Sequence, residues 1–323
     1  MLEFENLLKE TKIYKTLKKD FKESNLSHCI MIISEDSVAC TNLCKIIARM
    51  LLCEHDDCGM CKTCIQVEKG LFPSLIVPQN LTADGLRDFI AACYKKVDTN
   101  IKVALISNFQ DIDAREQNRL LKLIEEPAGD TIFIMGVTKV SAVLETIKSR
   151  ATKYTIEQFD DAALKNALLD HYDSYSVEKA MAFSEGSIEK AQKIIANPEF
   201  IDSYNTMLRI FNDMQKSSGL LEMVARTNIR NKRTFSDKIN ALERYLDAFE
   251  EVLRQVVEYK SGLNTNADDI IKQISDKYNM ATLVNVEDLI IESKKKADAN
   301  CDPEGVFYQL LMDILEVKFK CQS

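Results

Sequence analysis

Four cysteines stand within twelve residues in the stretch CEHDDCGMCKTC: Cys53, Cys58, Cys61 and Cys64, spaced C-x4-C-x2-C-x2-C. Thiolates at this spacing suit a tetrahedral ion, zinc above all. Four protein ligands leave no open coordination position, so such a knuckle is structural and not catalytic. Gly59 lets the chain turn sharply between ligands. Two blander readings stand beside this one: four unrelated free thiols, or His55 in place of one ligand. The remaining cysteines are scattered, and Cys29, Cys40, Cys44 and Cys93 read as small core residues.

A second stretch has the outline of a site without its chemistry. IMIISEDSVACTNLCKIIARMLL, residues 30–52, reads as a strand, a turn and an amphipathic helix. The apolar residues Leu43, Ile46, Ile47, Met50 and Leu51 recur at helical spacing. A turn of this kind, early in an α/β domain, is where a nucleotide-binding protein puts its phosphate loop. Here the turn is SEDSVACT, without glycine or lysine, and Glu35 and Asp36 would repel a phosphate.

The elements that must position these residues follow from periodicity. To about Ile156, strands at 30–33, 74–77, 103–107, 131–135 and 153–156 alternate with helix-like segments such as 84–97 and 113–126, which argues for a parallel sheet covered on both faces. Pro127 and Gly129 end the second of those helices. Beyond Glu157 the strand signals vanish. Three short helices are expected over 158–199, and long helices, including 200–215, over 200–323. Only 9 Gly and 5 Pro in 323 residues fit a helix-rich chain of two or three domains. No apolar run approaches the roughly 18 residues of a membrane span, and the N-terminus lacks the apolar core of a signal peptide. The expectation is a cytoplasmic protein without a membrane partner, in which a tight cysteine cluster means metal and not disulfides. A formal net charge of −8 argues against tight, independent binding to duplex DNA.

The segment KVALISNFQDIDAREQNRLLKLIEEPAGDTIFIMGVTKVSAVLETIKSRATKY, residues 102–154, resembles the second half of a clamp-loader ATPase domain of the AAA+ class. The matching pieces are the strand VALIS, NRLLKLIEEP, the strand TIFIM with Thr138, and TIKSR before the last strand. Together with the knuckle and the start TLKKDFKESNLSHCIMI, they resemble the bacterial DNA polymerase III clamp-loader family over residues 10–195.

The resemblance implies an α/β AAA+-like parallel-sheet domain at 1–157 carrying a zinc module at 53–64, a helical lid at 158–199, and an all-α collar for oligomerisation at 200–323. That family has hydrolysing (gamma or tau) and non-hydrolysing (delta-prime) members. Its active members carry G-x-x-x-x-G-K-T. Ser34, Ala39, Cys40 and Thr41 fall at the Gly, Gly, Lys and Thr positions, with Ser37 between them, so only Thr41 survives. The acidic pair expected after the second core strand is replaced by Ser107 and Asn108.

The resemblance is therefore to a delta-prime-like, non-hydrolysing subunit that holds no ATP. It implies partners of the gamma/tau-like and delta-like kinds, and through them the sliding clamp and primed DNA. It gives Arg150, in Ser149-Arg150-Ala151 where the family has Ser-Arg-Cys, the role of an arginine finger acting on a neighbour's ATP. The residues alone also permit a surface arginine there. Lys190 in SEGSIEKA matches a lid residue that contacts ATP in active members, and without ATP it reads as structural. The alternatives are an ATPase with a divergent phosphate loop and a zinc-containing interaction protein unrelated to replication. The basic stretch 226–233 and the run 294–296 read as solvated faces or as a contact to DNA or a partner.

Overall fold

The structure, a computed structural model, describes residues 2–96, 101–127, 129–214, 219–263 and 267–320. Val97 and Gln215, each the last residue of a predicted helix, lie outside the described residues. The chain forms two compact units, divided between Ala196 and Asn197.

The first unit carries α1 (Glu5–Glu10), α2 (Lys12–Lys22), β1 (Cys29–Ile33), α3 (Ser37–Leu52), α4 (Lys62–Glu68), β2 (Leu75–Ile76), α5 (Ala83–Tyr94), β3 (Lys102–Ile106), α6 (Ala114–Glu125), β4 (Thr131–Val137), α7 (Glu145–Lys148), β5 (Thr152–Thr155), and the short helices α8 (Asp161–Leu169), α9 (Ser174–Ser184) and α10 (Ile188–Ala196). The strands form one sheet in the order β2-β3-β4-β1-β5, every pairing parallel. In register, Ile30 of β1 faces Ile134 of β4 on one side and Thr152 of β5 on the other. The central strands CIMII, KVALI and TIFIMGV are apolar on both faces and buried along their length, as a covered parallel sheet requires. Cys29 and Cys93 lie in this core, where burial pushes their thiols up to about 12, so they are inert packing groups.

Local chemistry sets the helix boundaries. α3 starts at Ser37, four residues before the predicted turn ends, because the Asp36 side chain accepts from Ala39 N at 2.8 Å and so caps the first turn. The turn shrinks to Ser34–Asp36. α6 is capped by Asp113, which accepts from Arg115 N and Glu116 N at 2.9 Å, and it ends before Pro127.

One charged cluster lies inside this unit. Arg49 of α3 is fully buried. Its Nε donates to Asp57 at 2.7 Å, its Nη1 to Glu68 at 2.5 Å, and its Nη2 to Glu5. Lys9 pairs with Glu5 at 2.8 Å and Asp57 at 2.7 Å, and the Tyr14 hydroxyl donates to Asp57 at 2.7 Å. The cluster ties α1, α2, α3 and α4 to the loop that carries the cysteines. Burial alone would raise the Glu5 carboxyl, but hydrogen bonds from Arg49 and Lys9 prevail and hold it at about 2.

The second unit is a helical bundle of α11 (Phe200–Asp213), α12 (Leu220–Arg226), α13 (Phe235–Lys260), α14 (Asp269–Lys277), α15 (Met280–Asp298) and α16 (Pro303–Lys320). α13 opens on a reciprocal capping box between Thr234 and Asp237. Phe211, Phe249 and Tyr278 meet in the core, with Phe211 and Tyr278 stacked at 4.4 Å and the Tyr278 hydroxyl donating to Phe211 O at 3.2 Å. Among the described residues no helix is long and apolar enough to cross a membrane.

Arg49→Leu leaves Glu5 and Asp57 buried without their guanidinium, and destabilises the chain by about 3–5 kcal/mol in urea unfolding. Glu5 is depressed in the folded state, so its stabilising contribution is present above the ordinary carboxylate value of 4.5 and is lost as pH falls towards about 2. Acid titration of wild type followed by circular dichroism should show a loss in that window that Glu5→Gln lacks.

Candidate functional site

The four knuckle cysteines converge. Their sulfurs all lie within 4.8 Å of one another, with Cys53–Cys58 at 3.9 Å, Cys53–Cys61 at 3.8 Å and Cys58–Cys64 at 4.0 Å. A tetrahedral ion with metal–sulfur bonds of about 2.3 Å has sulfur–sulfur edges of about 3.8 Å, so the set fits a metal ion such as zinc. The loop bends through left-handed backbone at Asp56, Asp57 and Gly59, the last with φ 74°. The Cys61 side chain accepts from Cys64 N at 3.4 Å and so starts α4, and Cys53 Sγ accepts from His55 N at 3.3 Å. His55 thus contributes its backbone here and is not in the converging set. Backbone hydrogen bonds from Met60 and Cys61 draw the Cys58 thiol down to about 6, while burial pushes the Cys64 thiol up. A lowered thiol favours the thiolate, the form that ligates metal.

At the turn before α3, two carboxylates meet two helix N-termini. Asp36 Oδ1 caps α3, while its Oδ2 accepts from Ser187 Oγ at 3.0 Å, Ile188 N at 2.6 Å and Glu189 N at 3.2 Å, all at the start of α10. Glu189 Oε2 returns the contact, accepting from Ser37 N at 2.8 Å and Ser37 Oγ at 2.7 Å. Burial works against the Glu189 charge, but bonds from Lys193 and Ser37 hold its carboxyl below the usual range. Ser34 is buried, donates from its N to Val137 O at 3.1 Å, and accepts from Asp36 N. Ala39 is buried as well, and Cys40 is buried with its Sγ against Ile32 O at 3.5 Å. Thr41 is half-buried on α3. Gly186, at φ 71°, leads into α10 and has no room for a side chain: a Cβ there would lie 2.5 Å from Phe159 O.

A cavity of about 540 Å³ opens beside these groups, lined in part by Glu35, Glu157, Glu185, Thr138 and Lys190. Lys190 pairs with Glu185 at 2.5 Å and Lys193 with Glu189 at 2.8 Å, so both lysines of the lining are already neutralised by carboxylates. Thr138 uses its backbone N to donate to Gln110 Oε1 at 3.1 Å. An acidic lining of this kind is unsuited to a polyphosphate.

Arg150 lies just past α7, two-fifths exposed. Its Nη2 meets Glu125 at 2.5 Å, and its Nη1 donates to Thr146 O at 2.8 Å and lies 3.5 Å from Ser149 Oγ. Ala151 packs against the sheet's core. The segment before Arg150 is pinned by the buried Gln117, whose amide donates to Ile112 O and Ala142 O and accepts from Leu144 N. The structure thus separates three groups that sequence reasoning had taken singly: the metal-fitting cluster, the self-occupied loop, and an exposed arginine held by a carboxylate.

Several of these partners escaped the sequence reading. Asp36 had a usable signature, since an aspartate just before a helical apolar period is an N-cap pattern. Nothing local marks Glu189, Glu125 or Gln117 for these roles, whose partners lie 25 to 152 residues away, apart from Ile112 and Lys193. The basic runs are engaged within the second unit: Arg226 with Asp213 at 2.7 Å, Lys232 with Glu199 at 3.6 Å, and Lys294 with Asp247 and Glu250 at 2.7 and 2.6 Å.

Comparison with known proteins places this arrangement. The family described as DNA polymerase III, delta subunit matches residues 9–160. The DNA polymerase III subunit delta' of Bacillus subtilis is 21% identical over 95% of this chain and 96% of its own length. The subunit delta' of Pseudomonas aeruginosa is 28% identical over 52% of this chain and 56% of its own. The subunit gamma of Buchnera aphidicola subsp. Acyrthosiphon pisum is 21% identical over 81% and 78%. Residues 9–160 are thus similar to the DNA polymerase III delta-subunit family, and the chain is similar to delta' and gamma subunits.

Proposed function

We propose that this chain is a non-hydrolysing, delta-prime-like subunit of a replicative clamp loader, working in the cytoplasm. The observation that carries this reading is the pair of carboxylates at the start of α3. A helix N-terminus attracts anions through its free N–H groups and its dipole. Here Asp36 and Glu189 already satisfy those donors, and no lysine stands ready for a terminal phosphate. The chain therefore holds no ATP and acts on a neighbour's.

In this reading the α/β part, 1–157, carries the finger and the zinc module, 158–199 forms the lid, and 200–323 forms the collar that joins gamma/tau-like and delta-like partners. Arg150 reaches the ATP of the adjacent subunit, where a guanidinium neutralises charge developing on the transferred phosphoryl group. Ser149 accompanies it at the end of α7. Glu125 holds the guanidinium until a more negative partner replaces it. The assembly acts on the sliding clamp and primed DNA. Cys53, Cys58, Cys61 and Cys64 hold one structural Zn2+, and the Arg49 cluster fixes the far side of that loop. An ATPase with a divergent loop is the alternative, favoured by the gamma relatives and opposed by Asp36.

Titration of the isolated chain with ATP separates the two: the proposal expects no saturable binding, and micromolar affinity would overturn it. Arg150→Ala should fold normally and slow hydrolysis at the facing site of the reconstituted complex by about 10³-fold or more, read as single-turnover phosphate release. An unchanged rate removes the finger assignment. Metal analysis of purified protein should give about one zinc per chain, and Cys61→Ser should lose it and loosen residues 53–64 in hydrogen exchange. A metal-free wild type with an ordered loop would contradict the zinc assignment.

A further inference from the structure

The crossed contacts between Asp36 and Glu189 have a consequence beyond the absence of ATP. In a phosphate-binding α/β protein, a ligand anion bridges separate elements by accepting from several backbone donors at once. Here Asp36 does so from within the chain: Oδ1 serves α3 and Oδ2 serves the N–H groups of Ile188 and Glu189 on α10. Glu189 serves α3 in return through Ser37. Each helix is thus capped by a carboxylate that the other element carries or shares. A single cap would need only one of these contacts, and α6 and α8 are capped by one local aspartate each.

The geometry points to an internal latch: Asp36 and Glu189 together take the place of a ligand's phosphates and hold α10 closed on the start of α3 without any nucleotide. The latch rests on the reading that this loop is empty of ATP. It makes the α8–α10 segment a fixed part of the first unit, where a nucleotide-dependent subunit would open and close with its ligand.

The test uses hydrogen exchange on the full isolated chain, and reads each half of the latch while breaking the other. Asp36→Ser keeps a capping oxygen for α3 but is too short to reach α10. Ser37 N is held by Glu189 and not by Asp36. Its protection should nevertheless fall by about tenfold or more, the factor one charge-assisted hydrogen bond supplies. Glu189→Ala should lower protection at Ile188 N, which Asp36 holds, by a similar factor. Wild-type protection at these two amides should not change on adding inorganic phosphate or ATP.

If either variant leaves the opposite amide as protected as in wild type, the two contacts are independent caps and the latch is refuted. It is equally refuted if phosphate or ATP strengthens wild-type protection. Should Asp36→Ser fail to fold, Asp36→Asn decides, since it keeps length and cap but not charge: a rise in exchange at Ser37 supports the latch and an unchanged rate overturns it. An Arg150→Ala loader with unchanged ATPase activity would remove the finger and leave these amide rates as they are, so the two readings fail separately.

Discussion

An α-helix begins with backbone N–H groups that its own ladder cannot satisfy, and when such a helix starts beneath a sheet those donors need an acceptor. α3 is the central case in this protein. It runs from the end of β1, its body is buried against the sheet, and its first turn lies at the carboxyl ends of the strands. In an ATPase the acceptor arrives as phosphate. Here Asp36 supplies it permanently, and the placement of α10 follows, because the same carboxylate reaches the start of that helix. The cavity beside it is lined by further carboxylates, among them Glu35, Glu157 and Glu185.

The other end of α3 is governed by a second electrostatic constraint. Arg49 enters the interior and must be fully paired there, since a lone buried guanidinium is far too costly. Glu5, Asp57 and Glu68 come from three different segments to meet it. Asp57 sits between Cys53 and Cys58, so the buried pair also fixes the loop in which the four sulfurs converge. One helix thereby carries the self-capped loop at its start and the metal-fitting cluster at its end. The two features that first stood out as separate stretches of sequence are the two ends of one element.

Arg150 stands apart from both. It is exposed, near the end of the sheet's last connection, and tethered to Glu125 at the end of α6. A partly exposed ion pair of this kind contributes little to stability. That weakness suits the proposed role, because a triphosphate offered by a neighbour competes easily with one carboxylate. The buried Gln117 does the stiffer task, holding the segment before α7 through Ala142 O and Leu144 N and tying it to Ile112 O ahead of α6.

Much of this was legible in the residues. Short apolar runs marked β1, β3 and β4, because a covered parallel sheet demands continuous apolar segments, whereas β5 is a mostly exposed strand at the sheet's edge. The Cys53–Cys64 spacing marked a knuckle, because four ligands so close in sequence are close in space whatever the rest of the chain does. The turn before α3 lacks glycine and lysine, and that much is plain from local residue types alone. Tertiary structure alone decided what fills the loop and what holds the arginine. Asp36 was read as a group that repels phosphate, and folding made it the acceptor shared by two helix starts, because its partners at the start of α10 lie some 150 residues away. Side-chain pairings between distant elements, Glu189 with Ser37, Glu125 with Arg150 and Arg49 with Glu5, leave no periodic trace in a sequence; they exist only once the packed core has brought their backbones within reach.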